Sequence, residues 1–192
     1  MNQTERDIPL LIIFAKPLDK SPKSDYNGQS LISDFQVQGG AAMKFAQFNE
    51  EYNRLYKEED SLYHRLARHF HLSSSAFWVL YTLEAAQKPL TQTELCGLLC
   101  FSKQTIHSAL KQLEREGCLR LSGGSGRNKN IHLTEAGLDL AARTVRPVLR
   151  MEELAFLDMT GEDRERLLTL HRQRMELLLH YAEPLFHSSQ EE

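Results

Sequence analysis

Residues 91–134 read TQTELCGLLCFSKQTIHSALKQLEREGCLRLSGGSGRNKNIHLT. Their local signals predict two short helices, a glycine-rich hairpin and the start of a third helix. Thr91 with Glu94 three residues on forms a capping box, in which the hydroxyl accepts from a first-turn N–H and the carboxylate reaches back to the cap's own N–H. Leu90 and Leu95 occupy the positions of a hydrophobic staple across that box. A helix therefore starts at Thr91, with Leu95, Leu98 and Leu99 on one face. The pattern breaks at Cys100-Phe101, and Ser102 supplies a second N-cap, so the two helices are joined by a tight turn.

At about 100° per residue, Ile106, Ala109, Leu110 and Leu113 form one apolar stripe on the second helix. Gln104, His107, Ser108, Lys111 and Arg115 fall opposite. Any surface helix has a polar face, but this one carries no acid in its N-terminal half. It offers short amide, hydroxyl, imidazole and amine groups that can hydrogen-bond base edges or phosphates, and Glu114 and Glu116 come only at the far end. Gly117 has the place of a helix-ending C′ glycine. Beyond it Leu119 and Leu121 alternate with Arg120 and Ser122, and Ile131 and Leu133 alternate with His132, which predicts two half-buried strands. Between them lie Gly123, Gly124, Ser125, Gly126, Arg127, Asn128 and Lys129. A phosphate-cradling loop must lead into a helix N-terminus, and this loop leads into a strand. The order helix, turn, helix, hairpin is a winged helix-turn-helix. The fold class expected is mainly α, with a small two- or three-stranded β wing and a helical dimerisation layer.

Over residues 44–186, and most closely from Leu90 to Gly137, the chain resembles the MarR family of bacterial transcription regulators. The stretches that carry the resemblance are SKQTIHSALKQLEREG, Ser102 to Gly117, and RNKNIHLTEAG, Arg127 to Gly137. The resemblance implies that the second helix enters the major groove and that a wing arginine, here Arg127, reaches the minor groove or its phosphates. The family pattern has Asp two residues before that arginine; this chain has Ser125, so Arg127 lacks its usual acidic support.

The chain is formally −3, with 23 basic and 26 acidic residues, which argues against a non-specific nucleic-acid coat. From Lys88 to Thr134, Lys88, Lys103, Lys111, Arg115, Arg120, Arg127 and Lys129 face only Glu94, Glu114 and Glu116, a local net charge of +4 that leaves −7 elsewhere. A basic module on an acidic body suits a protein that meets DNA with one surface.

The flanks read as long amphipathic helices. Phe45, Phe48, Tyr52, Leu55, Leu62, Leu66 and Phe70 form a stripe from 45 to 70, interrupted only by Glu59. Ser73 caps a helix through Phe77, Leu80, Tyr81 and Leu83 that stops before Lys88-Pro89, with Trp78 expected in the core. Thr134 is expected to cap one long helix to about Leu157, kinked between Arg143 and Pro147 by the proline inside it. Thr160 with Asp163 marks another start, and Leu167, Leu168, Leu170, Met175, Leu178, Leu179, Tyr181 and Leu185 give a broad apolar face up to Pro184. These helices exceed what one small winged domain needs, which implies a partner, and the resemblance implies a homodimer built from the terminal helices. The expected organisation is an extra segment at 1–42, a dimerisation region at 43–72 and 147–187, and the DNA-binding region at 73–146.

A two-fold dimer should read a pseudo-palindrome with half-sites about 10 bp, one helical turn, or a multiple of it apart. The DNA-binding set expected is Ser102, Lys103, Gln104, Thr105, His107, Ser108, Lys111, Arg120, Arg127 and Lys129. Lys103, Lys111, Arg120, Arg127 and Lys129 would meet phosphate or the minor groove, while Gln104, Thr105, His107 and Ser108 would discriminate bases. The protein is expected to be a cytoplasmic regulator, a repressor, with double-stranded DNA as partner, a small-molecule effector, no cofactor and no membrane association. It is not expected to be an enzyme: there is no Walker-type loop, metalloprotease helix or locally spaced Ser/His/Asp set. A winged helix can also serve protein-protein contacts, and this alternative stays open.

Three cysteines without a secretion signal fit a reducing compartment. Cys96 is expected to be buried, Cys100 lies in the turn and Cys118 opens a strand. Packing is the expected role, and Cys100, beside Lys103, is the candidate for redox sensing. His64, His69 and His71 raise the question of metal but lack a ligand spacing such as H-E-x-x-H, so no metal is expected. Tyr52, Tyr56, Tyr63 and Trp78 could line an effector space of the kind the resemblance implies, or serve as core. Ile8 to Ala15 is an apolar stretch too short for the ~20 residues a bilayer helix needs, and Glu5, Arg6 and Asp7 precede it. Residues 20–40 are polar and glycine-containing, which suggests mobility. Either Met43 is the natural start or residues 1–42 are an added arm.

Overall fold

The structure, a computed structural model, describes residues 43–123 and 129–187. The expectations for residues 1–42, and for Ser125 and Arg127, lie outside the described residues. The fold is mainly α with one small antiparallel sheet, and the chain divides into two compact units between Arg146 and Pro147.

In the first unit, α1 spans Phe45–His69. Its predicted stripe is only partly covered: Phe45, Phe48 and Leu55 are exposed, whereas Leu62, Tyr63 and Leu66 are half-buried and Ala67 is buried. Helix α2, Ser74–Ala86, starts where Ser73 Oγ accepts from the Ala76 N–H at 3.2 Å. It is the centre of the core, with Phe77, Val79, Leu80 and Leu83 all buried. Trp78, expected in that core, is half-buried instead. It lies on the side of α2 turned to α1, with ring centroids 5.0 Å from Tyr63, 5.4 Å from Phe77 and 5.3 Å from Tyr81, and α1 covers only part of it.

Strand β1 is only Leu90–Thr91 and leads directly into α3, Gln92–Leu99. Both halves of the predicted box are formed. Thr91 Oγ1 accepts from the Glu94 N–H at 3.2 Å, and the Glu94 carboxylate accepts from the Thr91 N–H at 2.7 Å. Leu90 and Leu95 are both buried, as a staple requires. Cys96 is half-buried rather than buried, because α3 turns only one narrow face inward, centred on Leu95. Cys100 ends α3 in the left-handed region at φ 51°.

Helix α4, Lys103–Arg115, begins with Ser102 Oγ accepting from the Thr105 N–H at 3.1 Å. Its stripe of Ile106, Ala109, Leu110 and Leu113 is buried against α2, α3 and the strand that follows. Gly117, at φ +73°, closes the helix: its N–H donates to Glu114 O at 2.9 Å and that of Cys118 to Leu113 O at 2.8 Å. Strands β2, Leu119–Ser122, and β3, Asn130–Leu133, pair antiparallel, with Leu119 opposite Leu133 and Leu121 opposite Ile131, and β1 joins the far side of β3 in the order β1-β3-β2. Leu121 is exposed rather than half-buried, since β2 is an edge strand that runs out toward the wing there.

The helix expected from Thr134 to Leu157 is two helices. Helix α5, Glu135–Arg143, stops at Thr144, whose φ −121° and ψ −72° are not helical, and α6, Val145–Asp158, begins anew. Continued through this point, the helix would press the Pro147 ring against the Arg143 carbonyl and lack one ladder bond. With the break at Thr144, Pro147 is the third residue of a fresh helix, where its N–H would have had no acceptor within the helix anyway.

In the second unit, Thr160 Oγ1 accepts from the Asp163 N–H at 3.1 Å and starts α7, Gly161–His187. Arg164 folds back over the end of α6: Nε donates to Phe156 O at 2.7 Å, and the guanidinium lies 3.8 Å above the Phe156 ring. Helix α7 runs through Pro184, where its apolar face was expected to end. So close to the terminus the proline removes a single ladder bond and interrupts nothing further along. No residue of α7 is buried; Leu167, Leu170, Leu178, Leu179, Tyr181 and Leu185 all stand exposed.

Candidate nucleic-acid interface

Seven of the ten expected DNA-binding residues lie on α4 or its cap, and all seven are exposed: Ser102, Lys103, Gln104, Thr105, His107, Ser108 and Lys111. Their orientation follows from packing. Ile106 and Leu113 are fully enclosed, so the helix cannot roll without bringing a core side chain into water, and the polar face is held outward. Ser102 and Thr105 are partly committed to the fold itself, since their hydroxyls lie 2.8 Å apart and Ser102 caps the helix. The first N–H groups of a helix have no acceptor within it, and the positive end of the helix dipole lies there, so the start of α4 favours an anion such as a phosphate.

Gln92 was missed by sequence reasoning. Its Nε2 donates to Lys103 O at 3.2 Å, tying the start of α3 to the start of α4 across eleven residues. No local signal announces this bond.

The wing has a polar face of its own. Arg120 stands opposite His132 and Ser122 opposite Asn130, and the Ser122 hydroxyl lies 2.7 Å from His132 Nε2. Strand alternation places these four on the face away from Leu119 and Ile131. Arg120 and Lys129, both expected to bind DNA, are exposed. Ser122, Asn130 and His132 were not in the expected set, although the same alternation that gave Arg120 could have found them. Arg127 lies outside the described residues.

The other candidate groups do not converge on a site. Tyr63 and Trp78 meet, while Tyr52 stacks on Phe48 at 5.8 Å and Tyr56 projects from α1 at 65% exposure. His64 Nδ1 lies 3.0 Å from Asp60 O one turn back on α1, and His69 packs edge-on against Phe70. Among the described residues no three His, Cys, Asp or Glu side chains gather as a metal site, and no helix is long and apolar enough to cross a membrane. Cys100 is exposed and Cys118 buried; burial, then the nearby Glu116, pushes the Cys118 thiol above its ordinary value.

Residues 71–128 match the family model described as MarR family. These are α2 through β2 and into the wing, together with the residues that join α1 to α2. The winged unit is similar to the MarR family. Solved structures extend the likeness beyond that unit. A MarR family regulator from Neisseria meningitidis is 21% identical, with a TM-score of 0.58 over 77% of this chain and all of that one. The MepR–DNA complex of Staphylococcus aureus is 21% identical, with a TM-score of 0.55 over 68% of this chain and 97% of that one. S. aureus MarR in complex with salicylate and kanamycin is 17% identical, with a TM-score of 0.54 over 70% of this chain and 92% of that one. At these identities the likeness is one of fold. No curated protein matches the chain.

Proposed function

We propose that this protein is a sequence-specific DNA-binding transcriptional regulator of the MarR type that binds a pseudo-palindromic operator as a homodimer and is modulated by a small ligand. One observation carries the reading: α4 holds an acid-free polar face, Lys103 to Lys111, outward on a helix whose opposite stripe is locked in the core. The +4 charge of the surrounding segment on an otherwise acidic chain supports it, as does the MepR relative solved on DNA. In this reading Lys103, Lys111, Arg120, Arg127 and Lys129 neutralise phosphates, and Gln104, Thr105, His107 and Ser108 meet base edges. The homodimer is favoured by the apolar side chains exposed along α1 and α7, which a second copy would cover. A small ligand is favoured by the relative solved with salicylate and kanamycin. Repression follows where the operator overlaps a promoter.

The test is electrophoretic retention of the gene's own upstream DNA, with sedimentation of the same sample. A two-fold protein shifting that fragment, and not an equal length of unrelated duplex, is the expected result. A folded dimer that retains no duplex at low salt would overturn the reading in favour of a winged-helix module for protein contacts.

A further inference from the structure

The first turn of α4 is not held by the core. Ser102, Lys103, Gln104 and Thr105 are all exposed, and the buried stripe begins only at Ile106. The cap bonds of this turn are local: the Ser102 hydroxyl accepts from the Thr105 N–H at 3.1 Å and lies 2.8 Å from the Thr105 hydroxyl. An end turn secured only by its own bonds frays, and here it carries Gln104, the second residue of the helix. Among the described residues one hydrogen bond ties this turn to another element, that from Gln92 Nε2 to Lys103 O at 3.2 Å.

Gln92 is itself fixed. It is the first residue of α3, and the capping box of Thr91 and Glu94, with the buried Leu90 and Leu95, holds that start in place. A backbone carbonyl has two lone pairs, so the Lys103 oxygen can serve the helix ladder and still accept from the Gln92 amide. Lys103 is exposed and Gln92 half-buried, so without the bond water would satisfy both groups and the fold would stand. Water would replace the bond but not the direction it fixes. We propose that Gln92 is a positioning residue for base discrimination: its bond to the Lys103 carbonyl holds the first turn of α4, and with it Gln104, at one setting against the groove. This rests on the regulator reading above, in which Gln104 meets base edges.

The experiment uses the full chain and duplexes selected by it from a random pool, with half-site base pairs then substituted one at a time. The parent should lose affinity about tenfold or more at each position that α4 reads. Gln104→Ala identifies the positions met by Gln104, by where that loss shrinks. Gln92→Met keeps the length of the side chain and removes the donor. It should unfold at a denaturant concentration close to the parent's and, at those same positions, shrink the loss from about tenfold to about threefold or less. Gln92→Ala should do the same and covers the case in which the methionine variant does not fold. Gln92→Lys restores a donor, and its charge raises affinity for every duplex alike, so the ratios between duplexes should return toward the parent's. Parent-like ratios in folded Gln92→Met would overturn the positioning role. Equal losses on every duplex would overturn it too, since they mark a contact of Gln92 with the sugar-phosphate backbone. A parent that binds no duplex would defeat the regulator reading itself, a result distinct from these.

Discussion

Gly137, third residue of α5, lies against the backbone where α4 hands over to β2. A Cβ at this position would sit 2.0 Å from the Cys118 carbonyl oxygen, 3.0 Å from the Cys118 carbonyl carbon and 3.2 Å from a Leu133 methyl. The first contact must open by about 1 Å or more to become tolerable. The oxygen cannot retreat alone, because the same carbonyl accepts from the Thr134 N–H at 3.0 Å and the Cys118 N–H donates to Leu113 O at 2.8 Å. Nor is α5 free, since the Thr134 hydroxyl donates to Gly117 O at 2.6 Å while accepting from the Gly137 N–H. Overpacking of this kind costs about 1–3 kcal/mol, and the two Thr134 bonds to Gly117 and Cys118 contribute about 1 kcal/mol each. Alanine's better helix propensity returns about 1 kcal/mol. Gly137→Ala is therefore expected to destabilise by about 2–4 kcal/mol, read from urea unfolding followed by Trp78 fluorescence and far-UV circular dichroism at one protein concentration. Two controls separate space from backbone strain. At Gly97 nothing lies within 4 Å and φ is ordinary, so Gly97→Ala should stabilise by about 0.5–1 kcal/mol. Gly117 has equal space but φ +73°, so Gly117→Ala should cost about 1–2 kcal/mol. A Gly137→Ala protein within about 0.5 kcal/mol of the parent, beyond the ordinary scatter of surface changes, would refute the reasoning.

Lys103→Ala and Lys111→Ala should weaken binding to all duplexes and reduce the salt slope by about one unit for each phosphate no longer neutralised, whereas Gln104→Ala and His107→Ala should change which operator is preferred; anisotropy titrations across salt and sequence decide it, and uniform losses in both groups would count against the division of roles. Hydrogen bonds from the Thr91 N–H and hydroxyl hold the Glu94 carboxyl below its ordinary 4.5. Because the folded value is depressed, the capping-box contribution is fully present above about pH 4.5 and is lost as pH falls through the folded value, so Glu94→Gln should flatten the acid limb of the stability–pH curve. Alkylation by iodoacetamide at neutral pH should label exposed Cys100 first and leave Cys118 unmodified in the folded protein, with peptide mass mapping as the readout.

Whatever depends on a few neighbouring residues was decided by sequence alone. The Thr91–Glu94 box, the Ser102, Thr134 and Thr160 caps, the Gly117 stop and the buried stripe of α4 each follow from hydrogen-bonding groups or helical periodicity within one or two turns, and so does the outward face from Lys103 to Lys111. Features that join distant parts of the chain left no such trace. Strand β1 is two residues long and exists only because Leu90 and Thr91 find Ile131 and Asn130, 41 and 39 positions away. Gln92 reaches Lys103, and Glu84 reaches Arg146. Pro147 announced a disturbance between Arg143 and Pro147, and it falls there, at Thr144; that it is a full break between two helices instead of a kink in one was decided in the fold, where the Thr144 hydroxyl is held to Leu140 O. Local chemistry thus made α4 and its outward polar face legible in advance. The bond from Gln92 to Lys103 and the contact of the half-exposed Arg146 with the buried Glu84 carboxylate were decided only by the tertiary structure, because their partners lie far apart in sequence and meet only after folding.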